Sequence, residues 1–294
     1  MHAFSNSPLE RMDARRRDAG WIDAQRASGH ALFAPVWRSR NLVRRKGANQ
    51  FEPVYLPAEA VPEAAPWALL GARGEAILFT FDLSPWDTPL PGVEAATFED
   101  LRRMGGLLPA EDAAILAHAR GLMHWRGRSR FCCTCGAACT ARDAGHVLAC
   151  TGCGAHHFPR TDPAVIMLVT HNDRALLGQP ARFRDMRVFT TLAGFVEPGE
   201  TLEEAVGREV FEESGIRVAD VRYHSSQPWP FPASIMLGFS AAATTQEITI
   251  DPDELVAAGW FTRADLAAPQ DFVLPPPISI ARRLIDDWIS GALA

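Results

Sequence analysis

Two cysteine pairs limit what this chain can fold into more than any other feature. Cys132-x2-Cys135 and Cys150-x2-Cys153 are separated by fourteen residues, a spacing of two knuckles that bring four thiolates onto one tetrahedral ion. All six cysteines lie between Cys132 and Cys153, and such clustering in a reducing cytoplasm points to metal ligands more than to disulfides. Gly136 and Gly154 follow the second cysteine of each pair, where the missing side chain lets the backbone turn tightly around the sulfur. The expected ion is one zinc held by Cys132, Cys135, Cys150 and Cys153, with Cys133 and Cys139 left over. Four protein ligands leave no open position for water or substrate, so the expected role is structural. A loop this short has little core of its own, and zinc binding of roughly 10–16 kcal/mol in isolated modules holds such segments folded.

A ribbon in mid-chain divides 294 residues into parts that suit two modules and a small third. The expected boundaries are a mixed N-terminal domain over 1–126, the ribbon over 127–160 and a third domain over 161–294. Ala31–Trp37 and Ala76–Phe81 read as strands, and the helical spacing of Ile115, Leu116, Ala119, Leu122 and Met123 predicts a helix over Pro109–Trp125. After the ribbon, the short apolar run Ala164–Thr170 reads as a buried strand. Val188–Leu192 and Ile235–Ala241 are strand-like, and helices are expected over Leu202–Ser214 and Ile280–Ile289, an α/β alternation.

Composition narrows the partners. The net charge of −6 and pI near 5.9 exclude a protein that coats duplex nucleic acid, which needs a basic surplus; a small anionic substrate that brings its own metal remains open. No window holds the roughly 18 uninterrupted apolar residues of a membrane span. The first residues run into Arg15, Arg16 and Arg17 without an apolar export segment, so a cytoplasmic location is expected.

The helix over Leu202–Ser214 is unusual. Thr201 and Glu204 form a capping box that opens it, and Gly215 is placed to close it in a left-handed cap. At about 100° per residue, Leu202, Ala205, Val206 and Val210 define its apolar face, yet Glu209 and Glu213 fall near the middle of that face. Glu209, Glu212 and Glu213 repel one another at i, i+3 and i+4 by a few tenths of a kcal/mol per pair. They also crowd the C-terminal turn, where the helix dipole disfavours anions by roughly 0.3–1 kcal/mol each. A solvated acidic face would not interrupt the buried stripe; a hard divalent cation removes all three penalties. Mg²⁺ or Mn²⁺, bridging carboxylates to phosphate oxygens, is the expected ion. Arg208, four residues from both Glu204 and Glu212, is placed to orient carboxylates from the flank.

The whole block, Gly194-x5-Glu200-x7-Arg208-Glu209-Val210-x-Glu212-Glu213-x-Gly215-Ile216, resembles the Nudix box at every defined position. The resemblance implies an α/β/α sandwich with a mixed sheet and hydrolysis of a nucleoside diphosphate linked to another moiety. Downstream, Ser226-Gln227-Pro228-Trp229-Pro230-Phe231-Pro232-Ala233-Ser234 is similar to the signature of the NADH pyrophosphatases within that family. Its alternating prolines lock an extended backbone that presents Trp229 and Phe231 with little ordering entropy to lose, a platform suited to a flat base. The resemblance covers residues 100–294 well and the N-terminal part in outline.

From that family the resemblance implies catalytic metal positions at Ala193 (through its carbonyl), Glu209, Glu213 and Glu254, and catalytic roles for Glu212 and Arg208. It implies substrate contacts at Phe158, Phe195, Gln227, Pro228, Trp229, Pro230, Phe231, Pro232, Ala233, Ser234 and Ala281. Arg102 matches an upstream arginine contact, and Gly145 stands where a family member carries an acidic one. More than one Mg²⁺ or Mn²⁺ would neutralise the diphosphate and activate water, with Glu212, Glu213 or Glu254 as general base. The implied reaction is hydrolysis of NADH or NAD⁺ to reduced nicotinamide mononucleotide, or NMN, and AMP. Removal of NAD caps from RNA is the same bond cleavage, to which the basic strip Arg38–Lys46 would contribute, and a homodimer is implied in which residues 227–234 of one subunit complete the other's site. Two rivals stand: a Nudix hydrolase for ADP-ribose or another nucleoside diphosphate derivative, and an inactive zinc-ribbon binding module. Every box glutamate is present, which speaks against the second.

Overall fold

The computed structural model describes residues 2–88 and 95–293, which form two compact units. The first comprises Ala3–Thr161 together with Trp229–Ala233. It contains α1 (Ala19–Arg26), β1 (Ala31–Trp37), β2 (Arg40–Gly47), β3 (Gln50–Pro53), β4 (Trp67–Arg73), β5 (Ala76–Asp82), β6 (Ala96–Glu99), α2 (Leu101–Met104) and α3 (Ala110–Arg128). The sheet runs β3-β2-β1-β5-β4 with β6 beside β2, and the β1–β5 pair is parallel, with Phe33 opposite Phe79. These two rings stack at 5.1 Å in a core that includes Ile22, Leu69 and Phe81. Helix α3 starts after Pro109 with Glu111 and Asp112 in its first turn and ends with Arg126 and Arg128, charges that complement the helix dipole. Its face of Ile115, Leu116, Ala119, Leu122 and Met123 is buried, the spacing the sequence shows.

The ribbon adds a three-stranded sheet in the order of β7 (Cys139–Arg142), β8 (Val147–Cys150) and β9 (His156–His157). Its turn at Gly145, with φ +89°, lies so close to β4 that a Cβ there would stand 2.5 Å from the Trp67 carbonyl oxygen. Only glycine tolerates both that approach and that φ. A side chain of any other residue at this position would meet β4.

The second unit comprises Asp162–Pro228 and residues 234–293, with His2. Its elements are β10 (Asp162–His171), β11 (Arg174–Pro180), β12 (Leu192–Phe195), α4 (Leu202–Ser214), β13 (Val218–Trp229), β14 (Ser234–Ala243), β15 (Leu255–Thr262), α5 (Arg263–Ala267) and α6 (Ile280–Ile289). The sheet runs β13-β14-β10-β11-β15 with β12 beside β10; β10 is parallel to β14 and antiparallel to β11 and β12. Alternation along β10 sends Val165, Met167 and Val169 to one core with Ala205, Val206 and Val210 of α4. Ile166 and Leu168 go to the other core with Leu284, Ile285 and Trp288 of α6. A strand covered on both faces reads as one apolar run, and the result is the α/β/α sandwich with a mixed sheet. Burial of Leu284 and Ile285 contributes roughly 1.5–3 kcal/mol each.

One element departs from its expected place. The strand expected over 188–192 begins only at Leu192 and runs to Phe195; upstream, Val188 and Thr190 make isolated bridges. The preceding turn, Ala181–Met186, ends at Arg187 with φ +47°, which bends the chain out of ladder geometry, whereas Ala164–Met167 of β10 offer a register to 192–195.

Candidate active site

Both ends of α4 are fixed, which sets the direction of its carboxylates. Thr201 Oγ1 accepts from the Glu204 amide at 3.2 Å, Glu204 Oε2 accepts from the Thr201 amide at 2.7 Å, and Gly215 closes the helix at φ +71°. On the sheet-facing side Glu213 is only 7% exposed, and its Oε1 accepts from the Ala193 amide of β12 at 3.2 Å. Glu209 reaches the same strand at Gly194, where any Cβ would overlap its carboxyl group. The φ of that glycine is ordinary, and what a Cβ there would displace is the end of the Glu209 side chain.

Burial pushes the Glu213 carboxyl up to about 8, and the charges of Glu209 and Glu254 add to the effect. Burial also raises Glu209, with further contributions from Glu212 and Glu254. Glu254, exposed before β15, lines one cleft with Glu213, Ala193, Thr191 and Arg182. The charge of Glu254 thus bears on both Glu209 and Glu213, a repulsion among oxygen donors that a hard divalent cation would relieve.

Arg208 is the hub beside them. Its Nε donates to Glu200 at 2.5 Å, Nη1 to Glu209 and Glu212 at 2.9 Å each, and Nη2 to Glu200 and the Phe195 carbonyl at 2.9 Å each. The expected pairing with Glu204 is replaced by Glu200, because the capping box already holds the Glu204 carboxylate. Arg208 keeps Glu200 ionised, down to about 2. Glu212 is 56% exposed on the outer side of this hub.

The residues matched to substrate contacts divide into exposed and enclosed groups. Phe158 and Phe195 are 63% and 60% exposed, and Pro228 and Pro232 are exposed. Trp229, Ala233 and Ser234 are partly covered. Gln227 is fully buried: its Nε2 donates to the Ile278 carbonyl at 2.7 Å and its Oε1 accepts from the Ile280 amide at 2.8 Å, so it fixes the start of α6, where Ala281 is also buried. Pro230 is buried, and Phe231 is an anchor more than an open platform. Its ring meets Trp229 and Phe4 edge-on at 5.0 and 5.5 Å, and the guanidinium groups of Arg102 and Arg120 lie over it at 5.0 and 4.6 Å. Arg102 is thereby placed beside the proline-aromatic segment. The Arg120 contact had no sequence signal, since it depends on a residue over a hundred positions away.

In the ribbon, the ligand atoms of Cys132, Cys135, Cys150 and Cys153 all lie within 4.8 Å of one another, with sulfur separations of 3.7 Å for Cys132–Cys153 and 3.4 Å for Cys135–Cys150. A tetrahedron with metal–sulfur bonds of about 2.3 Å requires about 3.8 Å between sulfurs, so the donor set fits one such ion. Backbone N–H groups of Cys135 and Thr134 bring the Cys132 thiol down to about 5, favouring the thiolate. Gly136 and Gly154 take φ of +75° and +76°, as the knuckle turns require.

Residues 160–282 match the NUDIX domain family, and residues 30–125 match a family described as the NADH pyrophosphatase-like rudimentary NUDIX domain. The human NAD-capped RNA hydrolase NUDT12 is 43% identical over 198 residues, 62% of this chain and 43% of the relative. The chain therefore spans less than half the length of that relative. The NAD-capped RNA hydrolase NudC of Escherichia coli (strain SMS-3-5 / SECEC) is 36% identical over 242 residues, 81% of this chain and 90% of the relative. Among solved structures, a NUDIX hydrolase from Nitrosomonas europaea superposes with a TM-score of 0.47 at 20% identity, over 55% of this chain and 90% of that one. With both domain matches in sequence and a relative aligned over nine-tenths of its length, the chain belongs to the NADH pyrophosphatase family of Nudix hydrolases.

Proposed function

We propose that this protein hydrolyses the diphosphate bond of NADH and NAD⁺, releasing AMP and reduced nicotinamide mononucleotide or NMN, and that it performs the same cleavage on NAD-capped RNA. The observation that carries the reading is the buried Glu213 beside Glu209 and Glu254, a carboxylate cluster that a diphosphate-bound cation would complete. The similarity to the NAD-capped RNA hydrolases of E. coli and human supports the choice of dinucleotide.

Glu209, Glu213, Glu254 and the Ala193 carbonyl would hold Mg²⁺ or Mn²⁺, which supplies charge neutralisation of the diphosphate and a water of lowered pKa when bound. The chain's own contribution is positioning. The Ala193 amide fixes one Glu213 oxygen where Glu213 lines the cleft. Arg208 holds Glu209 and Glu212 at set angles. Glu213, Glu254 or the outer Glu212 accepts the proton as water oxygen bonds to phosphorus and the bridging P–O bond breaks. Cys132, Cys135, Cys150 and Cys153 would hold one structural zinc. The working form is a cytoplasmic homodimer in which residues 227–234 of one subunit border the other's site.

A second reading, hydrolysis of ADP-ribose, is favoured by one observation: the Phe231 ring is covered by Arg102 and Arg120 and is not open to stack on a nicotinamide. Mass-spectrometric product identification decides. Wild type and Glu213→Gln are incubated with NADH, NAD⁺, ADP-ribose and NAD-capped RNA under Mg²⁺ or Mn²⁺. Release of AMP and reduced mononucleotide by wild type alone, fastest from NADH, is the expected result; turnover confined to ADP-ribose refutes the first reading.

A further inference from the structure

The cleft holds a cation that the family resemblance does not assign. Arg208 cannot reach a substrate, since all five of its N–H donors are committed to Glu200, Glu209, Glu212 and the Phe195 carbonyl. Arg182 is in the opposite condition. It is exposed, lines the cleft shared by Ala193, Glu213 and Glu254, and pairs with no carboxylate among the described residues; its guanidinium rests over the Phe183 ring at 4.9 Å.

Its backbone is nevertheless held in place. The Ala181 amide donates to the Glu254 carbonyl at 2.9 Å, which ties the Arg182 turn to the segment that carries Glu254. The buried Gln179 donates from Nε2 to the carbonyls of Phe183 and Arg184 at 3.1 and 3.0 Å, clamping the turn from below. The Arg182 guanidinium rests on an aromatic face and within the field of Glu213, which leaves its N–H donors to be presented from a fixed backbone to a ligand in the cleft. On the same wall Thr191 is 2% exposed, and its hydroxyl has no hydrogen-bond partner among the described residues. A guanidinium fork and an O–H donor beside metal-binding carboxylates together match the oxygens of a phosphate.

We propose that Arg182 binds a phosphate of the substrate's diphosphate and sets both affinity and turnover for the reaction proposed above, on which this assignment rests. The diester carries one negative charge per phosphorus. When water oxygen bonds to one phosphorus and the bridging bond breaks, the departing phosphate takes the electron pair, so a second charge develops there and the guanidinium contact strengthens in the transition state.

The test uses Arg182→Ala and Arg182→Lys in the full chain. Steady-state kinetics with NADH at saturating Mg²⁺ are combined with calorimetric binding of inorganic pyrophosphate in excess Mg²⁺, which needs no turnover. Arg182→Ala is expected to lower kcat/KM roughly ten- to hundredfold, the range of a charged hydrogen bond, and to weaken pyrophosphate binding in parallel. The Mg²⁺ concentration for half-activation stays within about twofold, and Arg182→Lys recovers part of the loss because it keeps the charge without the fork. Wild-type pyrophosphate affinity in Arg182→Ala, or no pyrophosphate binding by the wild type, overturns the assignment. Pyrophosphate binding that depends on Arg182 in a protein that cleaves no dinucleotide would refute the proposed function and leave this site standing.

Discussion

Replacing Gly194 with alanine should abolish most activity and leave the fold intact. The added Cβ would overlap the Glu209 carboxyl group, and carbon atoms need about 3.5 Å between them, so the carboxylate must retreat by on the order of 1.5 Å. That movement breaks its 2.9 Å contact with Arg208 and exceeds what Mg²⁺ tolerates, with near-ideal octahedral bonds of about 2.0–2.1 Å. A misplacement of about 1 Å in a catalytic constellation can cost about a hundredfold, so kcat/KM should fall at least that far. Stability should hold, because Gly194 has an ordinary φ and alanine restricts the unfolded chain, an effect of about 0.4–1 kcal/mol in favour of the fold. Gly207 on α4 is the control: a Cβ there meets nothing within 4 Å, and alanine in a helix interior gains about 1 kcal/mol over glycine. The assay is kcat/KM for NADH across a Mg²⁺ titration, with thermal unfolding in EDTA. Gly194→Ala with activity within threefold of wild type would refute the reasoning that this glycine exists to seat Glu209.

Three further outcomes are expected. In EDTA, Glu213 contributes stability that is fully present below its unfolded value of 4.5 and is lost as pH climbs through the folded value of about 8; urea denaturation should show up to about 1.4 kcal/mol lost per pH unit across that window, with Mg²⁺ suppressing the slope. Gln227→Ala leaves the Ile280 amide and the Ile278 carbonyl without their partner, at about 1–3 kcal/mol per buried group, so the melting temperature should drop; unchanged stability would mean the residue serves substrate instead. Elemental analysis should give one zinc per chain, and Cys150→Ser should lose it.

What the sequence made legible was local. The α4 limits follow from Thr201, Glu204 and Gly215, whose capping chemistry depends on neighbours within a turn, and the misfit of Glu209 and Glu213 with an apolar stripe points to the carboxylate cluster. The β10 run was readable because burial on both faces leaves no polar interruption. Strands β2 and β13 were not, because Arg40, Arg44 and Arg45 on one and the mostly uncovered residues of the other break any two-residue alternation. Arg182 was equally hidden: it lies in a short turn without periodicity, and its place beside Glu254 depends on a backbone bond across more than seventy residues. Gln227 stood in a motif that suggested substrate, but its partners on α6 are set by tertiary packing alone.

The close approach of Gly145 to Trp67 has a consequence for how the N-terminal unit comes apart. His146 Nε2 bonds the Leu69 carbonyl at 2.7 Å and Arg126, at the end of α3, donates to the Trp67 carbonyl, so the ribbon turn and the helix both grip β4. Strand β4 in turn zips to β5 along Trp67–Arg73. Opening the ribbon at this turn therefore pulls on the β4–β5 ladder. An ion bound in the four-cysteine site would therefore act on the N-terminal sheet through β4, and its removal is expected to lower the cooperative unfolding transition of that unit rather than only to fray a loop, a difference that calorimetry with and without chelator reads.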